Sequence, residues 1–529
     1  MGAIRLERHF GQRVVRCFAC RTADANAMWR EAARRRPDAE AIVCGERRLT
    51  WRQFEDQVLR AAAGLQALGV RAGDRVALLL GNDIEFVLAS FAILAAGGVI
   101  VPLSTREQTP GLAYILRNSG ASVLVHEASL SDRVPTAGET PDLRHHLAAG
   151  GSPRDAGGFG RLLEHAPLAS CTPVSEEDVA VIMYTSGTTG LPKGAMLTHL
   201  NIVHSVLHYA QALSLDKNVR AGVVVPLSHV TGLVALMMVS FGLGGTLVVV
   251  PQFKAAEFLP LAAAERISFT IMVPAMYKLC LLQEGFARHD LSAWTVGGYG
   301  GAPMPPETID RLARELPGLR LSNCYGATET TSPATIMPAA LTRGHLESVG
   351  LALPCAEVAV MDDDGREVPT GEVGELWLKG PMVVKGYWDN QDATRDSFIG
   401  GYWRSGDMGR MDGDGFVYVL DRRKDMLNRG GYKIFSVEVE NTLCEHPDVL
   451  EAAVVAKPCP VLGERVHVFI TVREGRALDA DALRRFCTER LSDYKVPETY
   501  TLRSDPLPRN ANGKVLKRQL REELLATLS

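Results

Sequence analysis

No excess of positive charge marks this chain. Its 57 basic side chains face 61 acidic ones, a formal net charge of −4, which leaves no electrostatic footprint for nucleic acid. Paired cysteines are missing as well. Ten cysteines lie scattered at 17, 20, 44, 171, 280, 324, 355, 444, 459 and 487. Only Cys17 and Cys20 form a C-x-x-C, and no second pair or nearby histidine set completes a zinc site. A reduced, cytoplasmic setting is expected. Residues 1–22 lack the apolar core of a secretory signal. They carry Arg5, Arg8, Arg13, Arg16 and Arg21 against one acid, Glu7, but no serine, which argues against an organellar transit peptide. A short disordered extension is the expectation.

Unbroken apolar spans are absent too. Val230 to Pro251 has the length of a membrane crossing, but Gly242, Gly244 and Gly245 split it into a helix-like half and a β-branched half. Phe86 to Pro102 divides in the same way at Gly97 and Gly98. Both read as helix, turn and buried strand, with no integral span. No internal repeat is evident.

What is present is a globular composition, 46% hydrophobic and 22% charged, in a 529-residue chain too long for one core. Thr50 and Gln53 make a capping box ahead of a helix carrying Phe54, Val58, Leu65 and Leu68. Short apolar runs at 75–80, 98–103, 121–126, 222–227, 246–251 and 269–274 end at proline or polar residues and alternate with helical patterns. That alternation predicts a mostly parallel α/β core. Residues 136–170 are rich in Gly, Pro, Asp and Ser and read as a surface loop. After about residue 345 the texture turns to short strands with glycine turns, which suits a small antiparallel barrel or sheet. Beyond the charged segment 421–425 lies a compact piece with α and β signals. The expected organisation is an extension over 1–22, a large α/β domain over 23–423 and a small α+β domain over 424–529.

The most informative stretch is Tyr184 to Gly194, YTSGTTGLPKG. Thr185, Ser186, Thr188 and Thr189 supply hydroxyls, Gly187, Gly190 and Gly194 supply freedom of approach, and Lys193 supplies charge. The β-branched run Val179–Tyr184 before it reads as a strand buried on both faces. From Leu197 onward Leu200, Val203, Val206, Leu207 and Ala210 recur at helical spacing. A glycine-rich loop leaving a buried strand, with hydroxyls and a lysine, makes a cradle for an anion, here a polyphosphate. It is not a Walker A loop, since Lys193 follows Gly190 by three and is followed by glycine.

Other segments fit around a nucleotide. NCYGATET (323–330) puts Glu329 at the C-terminal edge of a strand, where α/β folds bind ligands. One carboxylate beside a phosphate loop is what Mg²⁺ uses. YWRSGDMG (402–409) puts Asp407 after a glycine turn, a position suited to two ribose hydroxyls. RNANGK (509–514) ends on Lys514.

Together with GELWLKGPMVVKGYW and DRRKDMLNRGGYKIFSVEVE, these segments, in this order, resemble the adenylate-forming superfamily of acyl-CoA synthetases, adenylation domains and luciferases. The likeness runs from about Ala23 to near the C-terminus. It implies an acid–thiol ligase in which a carboxylate attacks the α-phosphate of MgATP and a thiol then displaces AMP. It implies that Thr185, Ser186, Gly187, Thr188, Thr189, Gly190 and Lys193 hold the β- and γ-phosphates, that Glu329 and Thr188 serve Mg²⁺, and that Thr328 touches the α-phosphate. Tyr325 and Gly326 would meet adenine, with Gly300, Gly301 and Ala302 as the other wall. Asp407 and Arg422 would hold the ribose. Lys514 would bridge carboxylate and α-phosphate. Lys424 would be the hinge on which a mobile C-terminal domain turns, bringing Gly430 and Gly431 to the pantetheine of CoA. His229, in PLSHVTG (226–232), would stand between acyl pocket and thiol channel, and Val234, Tyr299, Thr330 and Thr331 would line the pocket. The implied co-substrates are ATP, CoA and a fatty, aryl or alicyclic acid, and a homodimer is admitted. A carrier-protein thiol as acceptor stays open. Amino-acid activation is disfavoured, since PLSHV lacks the aspartate that would pair with an α-ammonium. Two departures stand out. Ser405 replaces the commoner threonine, and Ser436 replaces the usual proline, which is expected to loosen the turn there.

Overall fold

A computed structural model of the chain describes residues 3–150, 158–185, 191–302, 304–509 and 515–527. The chain forms two compact units. One comprises 1–358, 377–404 and 415–417; the other comprises 359–376, 405–414 and 418–529.

The larger unit is built on two sheets of mainly parallel strands. In the first, Arg75–Leu79 pairs in parallel with Val99–Pro102 and with Val123–Glu127, and Val179–Thr185 runs parallel to Val99–Pro102. In the second, Glu40–Cys44, Thr246–Val249, Arg220–Val223, Phe269–Met272, Val296–Tyr299 and Arg320–Ala327 follow one another in parallel. The apolar runs seen in the sequence account for most of these strands, but Glu40–Cys44 and Val296–Tyr299 are not among them. The strands are short, and most of their side chains are buried, as in a sheet covered on both faces. Helices 25–35, 51–67, 84–95 and 239–243 meet in a cluster of Trp29, Trp51, Phe54, Phe91 and Phe241. The capping box of Thr50 and Gln53 is formed. Helix Ile84–Ala95 is buried nearly all round, as is the π-helix Thr231–Met238. Among the described residues no helix is long and apolar enough to cross a membrane.

Three local expectations are overturned. Residues 3–22 do not form a disordered extension: Ile4–His9 and Arg13–Phe18 pair as an antiparallel hairpin. Its inward residues Val15, Cys17 and Phe18 are buried, and Arg21 pairs with Glu7 at 2.7 Å and with Glu176 at 3.0 Å. The second carboxylate on Arg21, Glu176, and the one that takes His9 and the Phe10 N–H, Glu177, come from a segment about 160 residues away in sequence, so local composition could not show them. Within 136–170, His145–Ala149 is a strand parallel to Val123–Glu127, and Phe159 and Leu162 are buried. After the glycine-rich loop the chain does not go straight to helix. Lys193–Thr198 first returns as an antiparallel partner of Val179–Thr185, and only then does helix His199–Ala212 begin.

After residue 345 the chain forms strands Glu357–Met361, Gly374–Lys379, Tyr402–Met411 and Phe416–Arg422, along which it passes from one unit to the other. In the smaller unit a long hairpin, Val449–Cys459 with Gly463–Val472, takes Thr499–Arg503 as a parallel neighbour. Val454, Val468 and Ile470 pack with Val439, Leu443 and Leu483, while Val455 and Phe469 pack with Leu507, Leu520 and Leu524. Alternating side chains thus feed two small cores. The mixed α/β architecture, with a large N-terminal part and a small C-terminal one, is as expected.

Candidate active site

In the larger unit the strands Val296–Tyr299 and Arg320–Ala327 end on the same sheet edge, with Tyr299 opposite Asn323. Gly300 follows the first of them so closely against the second that an added Cβ would stand 2.4 Å from the Cys324 carbonyl oxygen. Gly301, at φ +77°, turns the chain away and leaves itself and Ala302 exposed. The half-buried Tyr325 and exposed Gly326 lie next along the neighbouring strand. The predicted adenine walls are therefore neighbours. Gly326 has no room for a side chain: a Cβ would meet the Ser332 carbonyl oxygen at 2.0 Å.

Thr328, Glu329 and Thr330 form a single 3-10 turn just beyond that strand, and all three are buried. The Glu329 carboxylate accepts from the Tyr387 hydroxyl at 2.9 Å and from the Thr185 hydroxyl at 3.5 Å. Burial, with the Glu329 charge beside it, pushes the Tyr387 phenol well above its usual range, so it stays a donor. The Lys193 ammonium lies over the Tyr387 ring, 5.3 Å from its centre. Thr185 and Lys193 are direct cross-strand partners. Four groups from three distant segments thus meet: a hydroxyl, a carboxylate, a phenol and a cation. The carboxylate and hydroxyl oxygens are the hard donors that Mg²⁺ takes, one or two at a time beside phosphates, so the donor set fits that ion. Ser186, Gly187, Thr188, Thr189, Gly190 and Lys514 lie outside the described residues. Tyr387, within the quoted GYW, was given no role by the sequence; only the fold brings it to Glu329.

His229 sits in the turn before the π-helix and is half-buried. The Thr231 N–H donates to its Nδ1 at 3.3 Å, which leaves the ring proton on Nε2. Burial holds its pKa below the ordinary histidine value, so the ring is neutral at pH 7. Gly232 is required here, because a Cβ would strike the Pro226 carbonyl at 2.2 Å. Val234, Tyr299, Thr330 and Thr331 are buried. The Thr330 hydroxyl is taken up by the Ala327 and Ser332 carbonyls at 3.1 and 2.6 Å. The Thr331 hydroxyl has no hydrogen-bond partner among the described residues.

In the smaller unit Asp407 is buried and pairs with Arg422 at 2.7 Å. The Ser405 hydroxyl donates to the Leu376 carbonyl at 2.6 Å and accepts the Asp407 N–H at 3.0 Å. The Gly406 N–H goes to Glu375 at 3.1 Å. A hydroxyl at 405 is thus what the turn needs, and serine supplies it. Lys424 is exposed in the turn between strands Phe416–Arg422 and Leu427–Arg429. Gly430 and Gly431, at φ +58° and +94°, close the hairpin to Tyr432–Ile434, and nothing lies within 4 Å of a Cβ built on Gly431. Ser436 does not loosen its turn. Its N–H donates to Asp421, which a proline could not do, and Lys517 donates to its hydroxyl at 2.6 Å.

A family model described as AMP-binding enzyme matches residues 29–388, and one described as AMP-binding enzyme C-terminal domain matches 438–514. The chain belongs to the AMP-binding enzyme family. This AMP-binding enzyme is 35% identical to a feruloyl-CoA synthase of an Amycolatopsis species, over 92% of the chain and 96% of that relative. It is 32% identical to a long-chain-fatty-acid–CoA ligase of Mycobacterium tuberculosis, over 95% and 98%. Among solved structures it is similar to o-succinylbenzoate coenzyme A synthetase of Bacillus subtilis in complex with ATP and magnesium. The TM-score there is 0.84 at 29% identity, covering 93% of this chain and 99% of that one. The AMP-binding enzyme is an AMP-forming acid–thiol ligase of the acyl-CoA ligase group.

Proposed function

We propose that the enzyme joins a carboxylic acid lacking an α-ammonium group, a medium- or long-chain fatty acid or an aryl or alicyclic acid, to CoA through an acyl-adenylate. The reading rests above all on the cluster of Glu329, Thr185, Tyr387 and Lys193, in which one phenol bonds a buried carboxylate and carries a cation on its ring. In the first half-reaction a substrate carboxylate oxygen attacks the α-phosphorus of ATP, the bond to the β-phosphate oxygen breaks, and pyrophosphate leaves. Glu329 and Thr188 would hold Mg²⁺, which would supply positive charge to the phosphate oxygens. The loop 185–193 and the Lys193 charge hold the β- and γ-phosphates, and Thr328 holds the α-phosphate. Tyr325, Gly326 and Gly300–Ala302 enclose adenine, and Asp407 with Arg422 takes the ribose hydroxyls. Lys514 neutralises the attacking carboxylate and the α-phosphate. In the second half-reaction the CoA sulfur attacks the acyl carbon, the thiol proton passes to solvent, and the bond from that carbon to the AMP phosphate oxygen breaks as AMP departs. Residues 424–529 act as a mobile domain turning at Lys424, Gly430 and Gly431 make room for pantetheine, and neutral His229 borders the acyl and thiol paths.

Pyrophosphate release with MgATP, measured over fatty acids, benzoates, cinnamates and amino acids with and without CoA, tests the assignment. CoA-dependent turnover to AMP and acyl-CoA is expected. Stoichiometric adenylate indifferent to CoA would move the acceptor to a carrier-protein thiol. The hinge has its own test. Lys424→Pro is expected to keep ATP–pyrophosphate exchange and to lose thioester formation on the order of 100-fold, the size of a misplacement effect. Equal loss in both half-reactions would show that Lys424 is not a hinge.

A further inference from the structure

Arg13 belongs to the N-terminal hairpin, ahead of the residues matched by the family model. Its Nη1 donates to the carbonyls of Val383 and Val384 at 3.2 and 2.9 Å. Its guanidinium lies between two rings, 5.3 Å from the centre of Phe10 and 5.6 Å from that of Phe398. The chain is shaped to admit it. Phe10 is held at φ +48°, which L side chains rarely adopt, with its N–H on Glu177 at 3.2 Å. Gly401 lies under the Arg13 side chain, where a Cβ would stand 3.2 Å from Cγ. Burial pulls the guanidinium down to about 10, still fully charged at neutral pH.

The two carbonyls that Arg13 grips belong to the segment that runs on to Tyr387 and is hydrogen-bonded to the Glu329 backbone. The Val384 N–H donates to the Glu329 carbonyl at 2.9 Å. Asn201 donates to the Pro381 and Val383 carbonyls at 2.6 and 3.2 Å, so the segment is held from a second side. Phe398, on which the guanidinium rests, packs edge-on against Tyr387 at 5.6 Å and 65°. Tyr387 in turn bonds the Glu329 carboxylate and carries the Lys193 ammonium. Two routes therefore run from Arg13 to Glu329, one along the backbone and one through the edge-on rings of Phe398 and Tyr387.

We propose that Arg13 is a positioning residue for adenylate formation: by clamping residues 383–384 and bracing Phe398 against Tyr387 it sets the Glu329 carboxylate for the metal. This rests on the reading of Glu329 as the Mg²⁺ carboxylate. A residue that orients a metal ligand without touching the metal is worth about tenfold to 100-fold in metal affinity.

The test is the Mg²⁺ dependence of ATP–pyrophosphate exchange in the full chain, with thermal unfolding alongside. Arg13→Ala is expected to raise the Mg²⁺ concentration for half-maximal rate about tenfold without changing the KM for the acid. Arg13→Lys, which keeps a cation but not the planar fork, is expected to recover part of that loss. A folded Arg13→Ala with the parent Mg²⁺ dependence would overturn the proposal, as would a change confined to the melting temperature. If Arg13→Ala does not fold, Phe398→Leu carries the same expectation through the ring route and the same power to refute. Glu329→Gln is measured in parallel. If it leaves the Mg²⁺ dependence unmoved, the metal reading of Glu329 fails and takes this proposal with it. If it shifts that dependence while Arg13→Ala does not, the Arg13 proposal alone fails.

Discussion

Glu329→Gln is expected to slow adenylate formation on the order of 10² to 10³-fold, the loss seen when one positioned group that stabilises transition-state charge is removed. The side chain keeps its size and still has an oxygen to accept from Tyr387, so packing gives no reason for the fold to change. What it loses is the negative charge, in a place with little water to replace it: Glu329 is 8% exposed. A neutral amide is a poor ligand for a hard divalent ion. ATP–pyrophosphate exchange over a range of Mg²⁺ concentrations measures the effect, and the defect should shrink as Mg²⁺ rises. A variant within threefold of the parent at every Mg²⁺ concentration would remove Glu329 from the phosphate chemistry. Tyr387→Phe makes a graded companion, because it takes away one hydrogen bond and leaves the charge.

Acid is expected to unfold the larger unit well before its carboxylates titrate, and His208→Leu is expected to blunt the effect. Helix His199–Ala212 carries His204 and His208, both fully buried. Burial is the main cause that holds their pKa values down, to about 4 for His204 and about 3 for His208, whose neighbour His204 adds to the shift. In the unfolded chain both rings take up protons as pH falls through 6.5; in the fold they stay neutral until about pH 4 and about 3. Stability is therefore complete above pH 6.5 and is lost as pH falls toward 4. His204 alone accounts for about 3 kcal/mol of that loss, a large share of an ordinary domain's stability. Neither ring nitrogen of His208 has a hydrogen-bond partner among the described residues. Leucine there removes both the buried polar group and its proton uptake on unfolding. Urea unfolding at pH 8 and at pH 5 should show His208→Leu gaining more at pH 5. Equal gains at both values would mean that His208 does not govern the acid limb.

The segments proposed to meet the nucleotide could be picked out in the sequence because their chemistry is local. Glycines, hydroxyls and a lysine follow one buried strand, and Glu329 follows one tight turn. Much of the parallel core was legible for the same reason, since most of its strands are apolar runs closed by a proline or a polar residue, while Glu40–Cys44 and the glycine-rich Val296–Tyr299 escaped notice. What could not be read was set by partners far along the chain. The arginine-rich residues 1–22 look like a solvated tail until Glu176 meets Arg21, Glu177 meets His9, and the carbonyls of Val383 and Val384 meet Arg13. Leu197 fits a helical register, yet pairing with Val181 puts it in a strand. Ser436 looks like a lost proline until Asp421 claims its N–H. Tyr387 looks like one more aromatic in a glycine-rich segment until it meets Glu329.

The register that sets Lys193 opposite Thr185 makes the spacing of this motif a matter of parity. Residues directly opposite in an antiparallel pair share a face, so the lysine charge and the threonine hydroxyl are turned the same way. A slip of one residue in Lys193–Thr198 would turn every side chain of that strand over and carry the ammonium to the opposite face of the sheet. A slip of two would keep the face but move the charge about 7 Å along the strand. Neighbouring sequences in which this segment changes length are therefore constrained to even steps if the lysine is to remain on the side of Glu329, and even those would cost it the ring of Tyr387.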